Sequence, residues 1–96
     1  MDFLVDTGFN GEIALSDRMI HELNLEPIGF SDYMNADGMI SHTQVFKGTI
    51  VWFNQEKDIT VISTKADIAL IGMTLLYKTD IQIARYKNIL TIHKPQ

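Results

Sequence analysis

The run Phe3-Leu4-Val5-Asp6-Thr7-Gly8-Phe9-Asn10-Gly11 decides how the rest of the chain is read. Its first three residues are apolar and β-prone, and they stop at an aspartate followed two places on by glycine. Asn10-Gly11 is a strong turn signal, after which Glu12-Ile13-Ala14-Leu15 alternates again. The stretch therefore reads as strand, polar loop, strand. An aspartate at a strand end can point its carboxylate into a cleft. A following threonine can fix the loop through its hydroxyl, and glycine lets another backbone come close. By itself Asp-x-Gly is ordinary turn chemistry, so the flanking sequence has to settle what this one is for.

Immediately downstream the period changes. Ser16 is a good N-cap, Asp17 suits the positive end of a helix, and Leu15 with Ile20 has the spacing of a hydrophobic staple. Met19, Ile20 and Leu23 make a helical apolar stripe and Pro27 lies beyond its end, which predicts one short helix over about 17–24. From Ile28 the pattern is almost all strand. Tyr33-Met34-Asn35 leads to a turn at Ala36-Asp37-Gly38, and Met39 to Phe53 returns with many β-branched and aromatic residues. That predicts a long hairpin with Asp37-Gly38 at its tip.

Asn54 to Asp58 is polar and turn-like, and Ile59-Thr60-Val61-Ile62-Ser63 alternates as a half-buried strand. Ile68-Ala69-Leu70-Ile71, ended by Gly72, has the continuous apolar character of a strand covered on both faces. Met73 to Lys78 has room for a helical turn or two. Asp80 to Ala84 and Ile89 to His93 flank Tyr86-Lys87-Asn88 as a closing hairpin. The fold class is all-β with one or two short helices, in one domain covering 1–96.

This order of pieces resembles the retropepsin-like aspartic proteases, in particular the single-domain bacterial relatives of the retroviral enzymes. The residues that carry the resemblance are Phe3 to Gly11, the Ala36-Asp37-Gly38 tip where the family has its flap, and Ala69-Leu70-Ile71-Gly72-Met73-Thr74-Leu75-Leu76. The closing hairpin also has the family's look, so the likeness spans nearly the whole chain. It implies a small closed β-barrel of retropepsin type. It implies Asp6 as the catalytic aspartate, Thr7 and Gly8 as the active-site loop, and Ala36, Asp37 and Gly38 as a substrate-covering flap.

The sequence holds no second Asp-Thr-Gly or Asp-Ser-Gly. The resemblance therefore implies a homodimer, each copy contributing Asp6 about a two-fold axis. It implies hydrolysis of peptide bonds with no cofactor and no metal. Three departures stand out. Retroviral members typically pair an acidic residue, two places after the motif glycine, with an arginine after the later apolar-apolar-Gly; those positions are Asn10 and Met73 here. Thr74 stands where relatives often have Asp or Asn. The family also normally carries one or two strands ahead of the motif, where this sequence has five residues before Asp6.

Composition narrows the alternatives. Eight basic against twelve acidic residues give a net charge of −4, with no basic stripe, which argues against nucleic acid. Lys78, Arg85, Lys87 and Lys94 are interleaved with apolar residues and read as a solvated strand face. There is no cysteine, hence no disulfide framework and no thiolate nucleophile. The apolar runs are too short to span a bilayer and no signal peptide opens the chain, so a soluble, cytoplasmic protein without a membrane partner is expected. His21, His42 and His93 lack metal-ligand spacing. Trp52 with Phe53 reads as sheet-face packing. The competing function is a catalytically silent peptide-binding or dimerisation module, and a third reading is a small subunit completed by another protein's strands. A strictly monomeric chain in sedimentation would sink the enzyme reading.

Overall fold

In the computed structural model, the described residues are 3–34, 37–65, 67–77, 79–84 and 89–93. They form β1 (Phe3–Val5), β2 (Ile13–Ser16), α1 (Asp17–Leu23), β3 (Glu26–Met34), β4 (Ile40–Trp52), β5 (Gln55–Thr64), β6 (Ala69–Ile71), α2 (Met73–Leu76), β7 (Asp80–Ala84) and β8 (Ile89–His93). No helix among them is long and apolar enough to cross a membrane.

The first six strands make one sheet in the order β1-β6-β2-β5-β4-β3. β6 lies between β1 and β2, parallel to the first and antiparallel to the second. The loop joining β1 to β2 must therefore arch over the end of β6. That places Asp6 to Glu12 directly against Gly72, where β6 hands over to α2. β2 also pairs in parallel with β5, while β5, β4 and β3 form an antiparallel meander.

The sheet is open, and the closed barrel expected from the resemblance is not what the described residues form. β1 pairs with β6 and β3 with β4, but no ladder among the described residues joins β1 to β3. The reason lies in the strands at the two edges. β1 is three residues long, and the described side chains of β3 from Glu26 to Asp32 are all exposed. From Ile40 to Gln44, β4 has β3 as its strand partner and no residue of β5, so the end of the meander runs out as a two-stranded arm.

The core sits where β2, β5 and β6 meet the two helices. Ile13, Leu15, Ile20, Ile59, Val61, Ala69 and Leu75 form one buried cluster, with Met19, Phe46, Trp52 and Ile71 packed against it. Leu15 and Ile20 thus meet in the core as the staple spacing predicts. Ser16 caps α1, its Oγ accepting from the Met19 N–H at 3.2 Å. At the other end Asn24 takes the left-handed conformation (φ 53°). Its N–H donates to His21 O, and the Leu25 N–H donates to Ile20 O. This double reach-back is a Schellman motif with asparagine in place of glycine.

The turn expected over Asn54 to Asp58 is tighter than the polar run suggests. Trp52 pairs with Gln55, and Phe53 and Asn54 both have positive φ (52° and 64°). Two such residues match the twist of a hairpin, so the polar residues from Gln55 onward already belong to β5. The Trp52 and Phe53 rings meet edge-to-face at 5.0 Å, consistent with a packing role. β7 and β8 pair antiparallel from Asp80↔His93 to Ala84↔Ile89, as a second sheet apart from the first.

Candidate active site

Asp6 follows β1 directly, and its N–H still donates to Ile71 O at 2.9 Å, so the backbone there remains anchored to β6. The chain then turns, with the Phe9 N–H donating to Asp6 O at 3.1 Å. Inside this turn the Gly8 N–H donates to Asp6 Oδ1 at 2.9 Å. A β-carbon on residue 8 would lie 3.3 Å from that same oxygen. Glycine therefore lets the backbone amide hold one carboxylate oxygen of Asp6 without crowding it. Asp6 is half-buried, and Thr7 and Gly8 are exposed.

The far half of the loop is clamped to the start of α2. The Met73 N–H donates to Phe9 O at 2.8 Å, the Thr74 N–H to Gly11 O at 3.1 Å, and the Gly72 N–H to Glu12 O at 2.9 Å. The Thr74 hydroxyl donates to Asn10 O. Asn10 and Met73 hold the two positions where the retroviral pattern has a charge pair. Here neutral hydrogen bonds made by Phe9 O, Asn10 O and Gly11 O fasten the same two segments. The second clamp is Glu12, whose Oε1 accepts from both the N–H and the hydroxyl of Thr60, at 2.9 and 3.2 Å.

A cleft of about 600 Å³ opens beside this loop. It is lined by Asp6, Gly8, Asn10 and Gly11 of the loop, by Ile62 to Thr64 of β5, and by Ser31, Asp32 and Thr43 of β3 and β4. Thr43 is buried and its hydroxyl donates to Ser63 O at 3.1 Å, tying the arm to β5. Asp32 and His42, opposite one another across β3 and β4, are joined by a hydrogen bond from Nδ1 to Oδ1.

The sequence-predicted site residues fall into two groups. Asp6 and Gly8 line the cleft, with Thr7 between them on the exposed turn. Asp37 and Gly38 are at the tip of the arm, exposed, and do not line it in the single chain. Asp37 Oδ1 accepts from the Met39 N–H at 3.0 Å and Gly38 has φ 84°, so the two shape the turn. Ala36 lies outside the described residues.

Sequence reasoning misses Glu12, Thr43, Asp32 and His42. The first two act through contacts distant in sequence. Asp32 and His42, however, are equally spaced about Asp37, so a hairpin tip placed at that residue is enough to pair them.

No protein-family model and no curated protein matches the sequence. Among solved structures, the crystal structure of a retropepsin-like aspartic protease from Rickettsia conorii is similar. The match covers 94% of this chain and 77% of that one, at 27% identity and a TM-score of 0.51. The resemblance read from the sequence is thus supported by the fold across nearly the full chain.

Proposed function

We propose that this retropepsin-like chain is one subunit of a homodimeric aspartic endopeptidase, with Asp6 of each copy forming the catalytic pair. The observation that carries the proposal is the placement of Asp6. Asp6 lines a cleft that residues of a long hairpin arm also line, and one of its carboxylate oxygens is held by the Gly8 amide.

One such carboxylate does not suffice for the chemistry. Two carboxylates brought to about 3 Å cannot both ionise and share one proton, as the paired aspartates of aspartic proteases do. The ionised member takes a proton from a bound water while the water oxygen attacks the peptide carbonyl carbon. The protonated member donates to the carbonyl oxygen as it gains charge. When the tetrahedral adduct collapses, the C–N bond breaks and the carboxyl that took the water's proton gives it to the amine nitrogen. A hydroxyl of the adduct returns a proton to the other carboxylate as the new carboxyl group forms. Thr7, exposed beside Asp6, would brace the two loops across the dimer axis, and Gly8 would let the substrate backbone come close. The arm tip at Asp37-Gly38 would fold over an extended peptide and hold it by main-chain hydrogen bonds.

β7 and β8 support the dimer. A two-stranded ribbon is marginal in water, and this one stands outside the main sheet with Ile81 and Ile92 opposite each other. A second copy would supply the missing strands. The test is cleavage of a mixed peptide library between pH 3 and 8 by this chain and by Asp6→Asn, at concentrations that favour the dimer. Cleavage by the parent alone supports the proposal. A folded dimer that cuts nothing leaves the silent peptide-binding module as the better reading.

A further inference from the structure

The dipeptide Asn10-Gly11, in the loop between β1 and β2, has both of its potentially reacting groups unengaged. Asn10 is exposed, and its side-chain amide has no hydrogen-bond partner among the described residues. The Gly11 N–H likewise donates to none of them. What the clamp to α2 holds is the two carbonyls: Asn10 O accepts from the Thr74 hydroxyl and Gly11 O from the Thr74 N–H. The Phe9 ring fills the space a side chain at residue 11 would need, since a β-carbon there would lie 2.5 Å from its Cζ. Residue 11 is therefore kept a glycine, and a glycine nitrogen is open to close approach.

We propose that Asn10 is a self-modification site, converted to aspartate and isoaspartate through attack by the Gly11 nitrogen, and that this conversion loosens the Asp6 loop from α2. The Gly11 nitrogen gives up its proton to solvent and bonds to the Asn10 side-chain carbonyl carbon. A succinimide ring closes as the side-chain nitrogen takes up a proton and leaves as ammonia. Water then adds to one ring carbonyl and breaks its bond to the Gly11 nitrogen. Opening at the side-chain carbonyl gives aspartate. Opening at the main-chain carbonyl gives isoaspartate, with the chain now running through the former side chain. Water is the only co-reactant.

Either product disturbs the cleft. Aspartate adds a negative charge to a lining that already contains Asp6, and like charges in one site repel. Isoaspartate adds a methylene to the main chain between the two carbonyls that Thr74 holds, and turns the first of them into a free carboxylate. Thr74 then loses the spacing that lets it grip both. The other asparagines precede Leu25, Ala36, Gln55 and Ile89, whose side chains crowd the attacking nitrogen. Asn10 should therefore convert first.

The experiment is incubation of the full chain at pH 7.5, folded and in urea, with peptide mapping to locate the mass gain of NH2 replaced by OH and an assay for isoaspartate. The folded chain is expected to lose the Asn10 carboxamide before any other, at a rate comparable to that in urea. Asn10→Gln, whose longer side chain closes the ring poorly, should remain unconverted at that position. In the converted fraction, hydrogen exchange at the Met73 and Thr74 amides should rise while Val61 keeps its protection. Asn10 staying intact in the folded chain while converting in urea would overturn the site. Unchanged exchange at Met73 and Thr74 after conversion would overturn the loosening. Neither result depends on whether the chain cleaves peptides.

Discussion

Gly72 is packed so closely under Gly11 that a β-carbon on it would lie 2.3 Å from the Gly11 carbonyl oxygen. It would also stand 2.8 Å from Phe9 O and 2.6 Å from the Phe9 ring. Two of these obstacles are backbone, and the backbone in question is the loop that carries Asp6. The end of β6 and the candidate catalytic loop are therefore one packed unit, which explains why glycine ends the apolar run.

Gly72→Ala should force the loop to shift, because neither carbonyl can rotate away without giving up its bond to Met73 or Thr74. Overpacking of this kind costs about 1–3 kcal/mol. Urea unfolding should show that loss, and peptide cleavage should fall further than the loss of folded protein accounts for. Unchanged cleavage by a folded Gly72→Ala chain would mean that Asp6 does not depend on this contact.

Thr74 offers a milder probe of the same clamp. Thr74→Val keeps the shape and the backbone bond to Gly11 but removes the hydroxyl donated to Asn10 O. The expected loss is about 0.5–1.5 kcal/mol, with Thr74→Ser recovering most of it. Denaturation midpoints of the three chains decide the matter.

Most of these elements are legible in the order of residues alone. The α1 cap at Ser16 and the hairpin tip at Asp37-Gly38 are local, set by a hydroxyl at a helix start and by a turn-prone dipeptide. Phe53-Asn54 is harder, since a bulky aromatic at positive φ is uncommon and the polar run after it masks the start of β5. Closure of the sheet is not legible at all. It depends on whether β3 finds a partner strand, and nothing in the composition of β3 fixes that. The Asp6 loop is legible as a motif. Its fastening through Glu12, Gly72 and Thr74 is not, because the side-chain contacts concerned join residues 48 to 64 apart.

Assembly should hinge on the β7–β8 pair. Ile81 and Ile92 face each other across it, both half-buried. Ile81→Lys would place a charge at the centre of any sheet completed by a second copy, while leaving the separate main core untouched. Sedimentation should then show a shift to monomer with unchanged far-UV circular dichroism. Persistence of a dimer would place its contact elsewhere on the chain.

In the proposed dimer each copy would supply one aspartate to the pair, so catalysis and dimerisation should rise and fall together. Specific activity is expected to fall on dilution through the dissociation range, and mixing parent with Asp6→Asn should poison it. In a random mixture at equal amounts only about a quarter of the molecules pair two intact chains, by the statistics of a two-fold dimer. The rate should be bell-shaped in pH, since one shared proton is needed and both the fully protonated and fully ionised pairs lack either base or acid. Activity proportional to the fraction of parent chain, with no poisoning, would show that one Asp6 acts alone and would remove the aspartic mechanism from consideration.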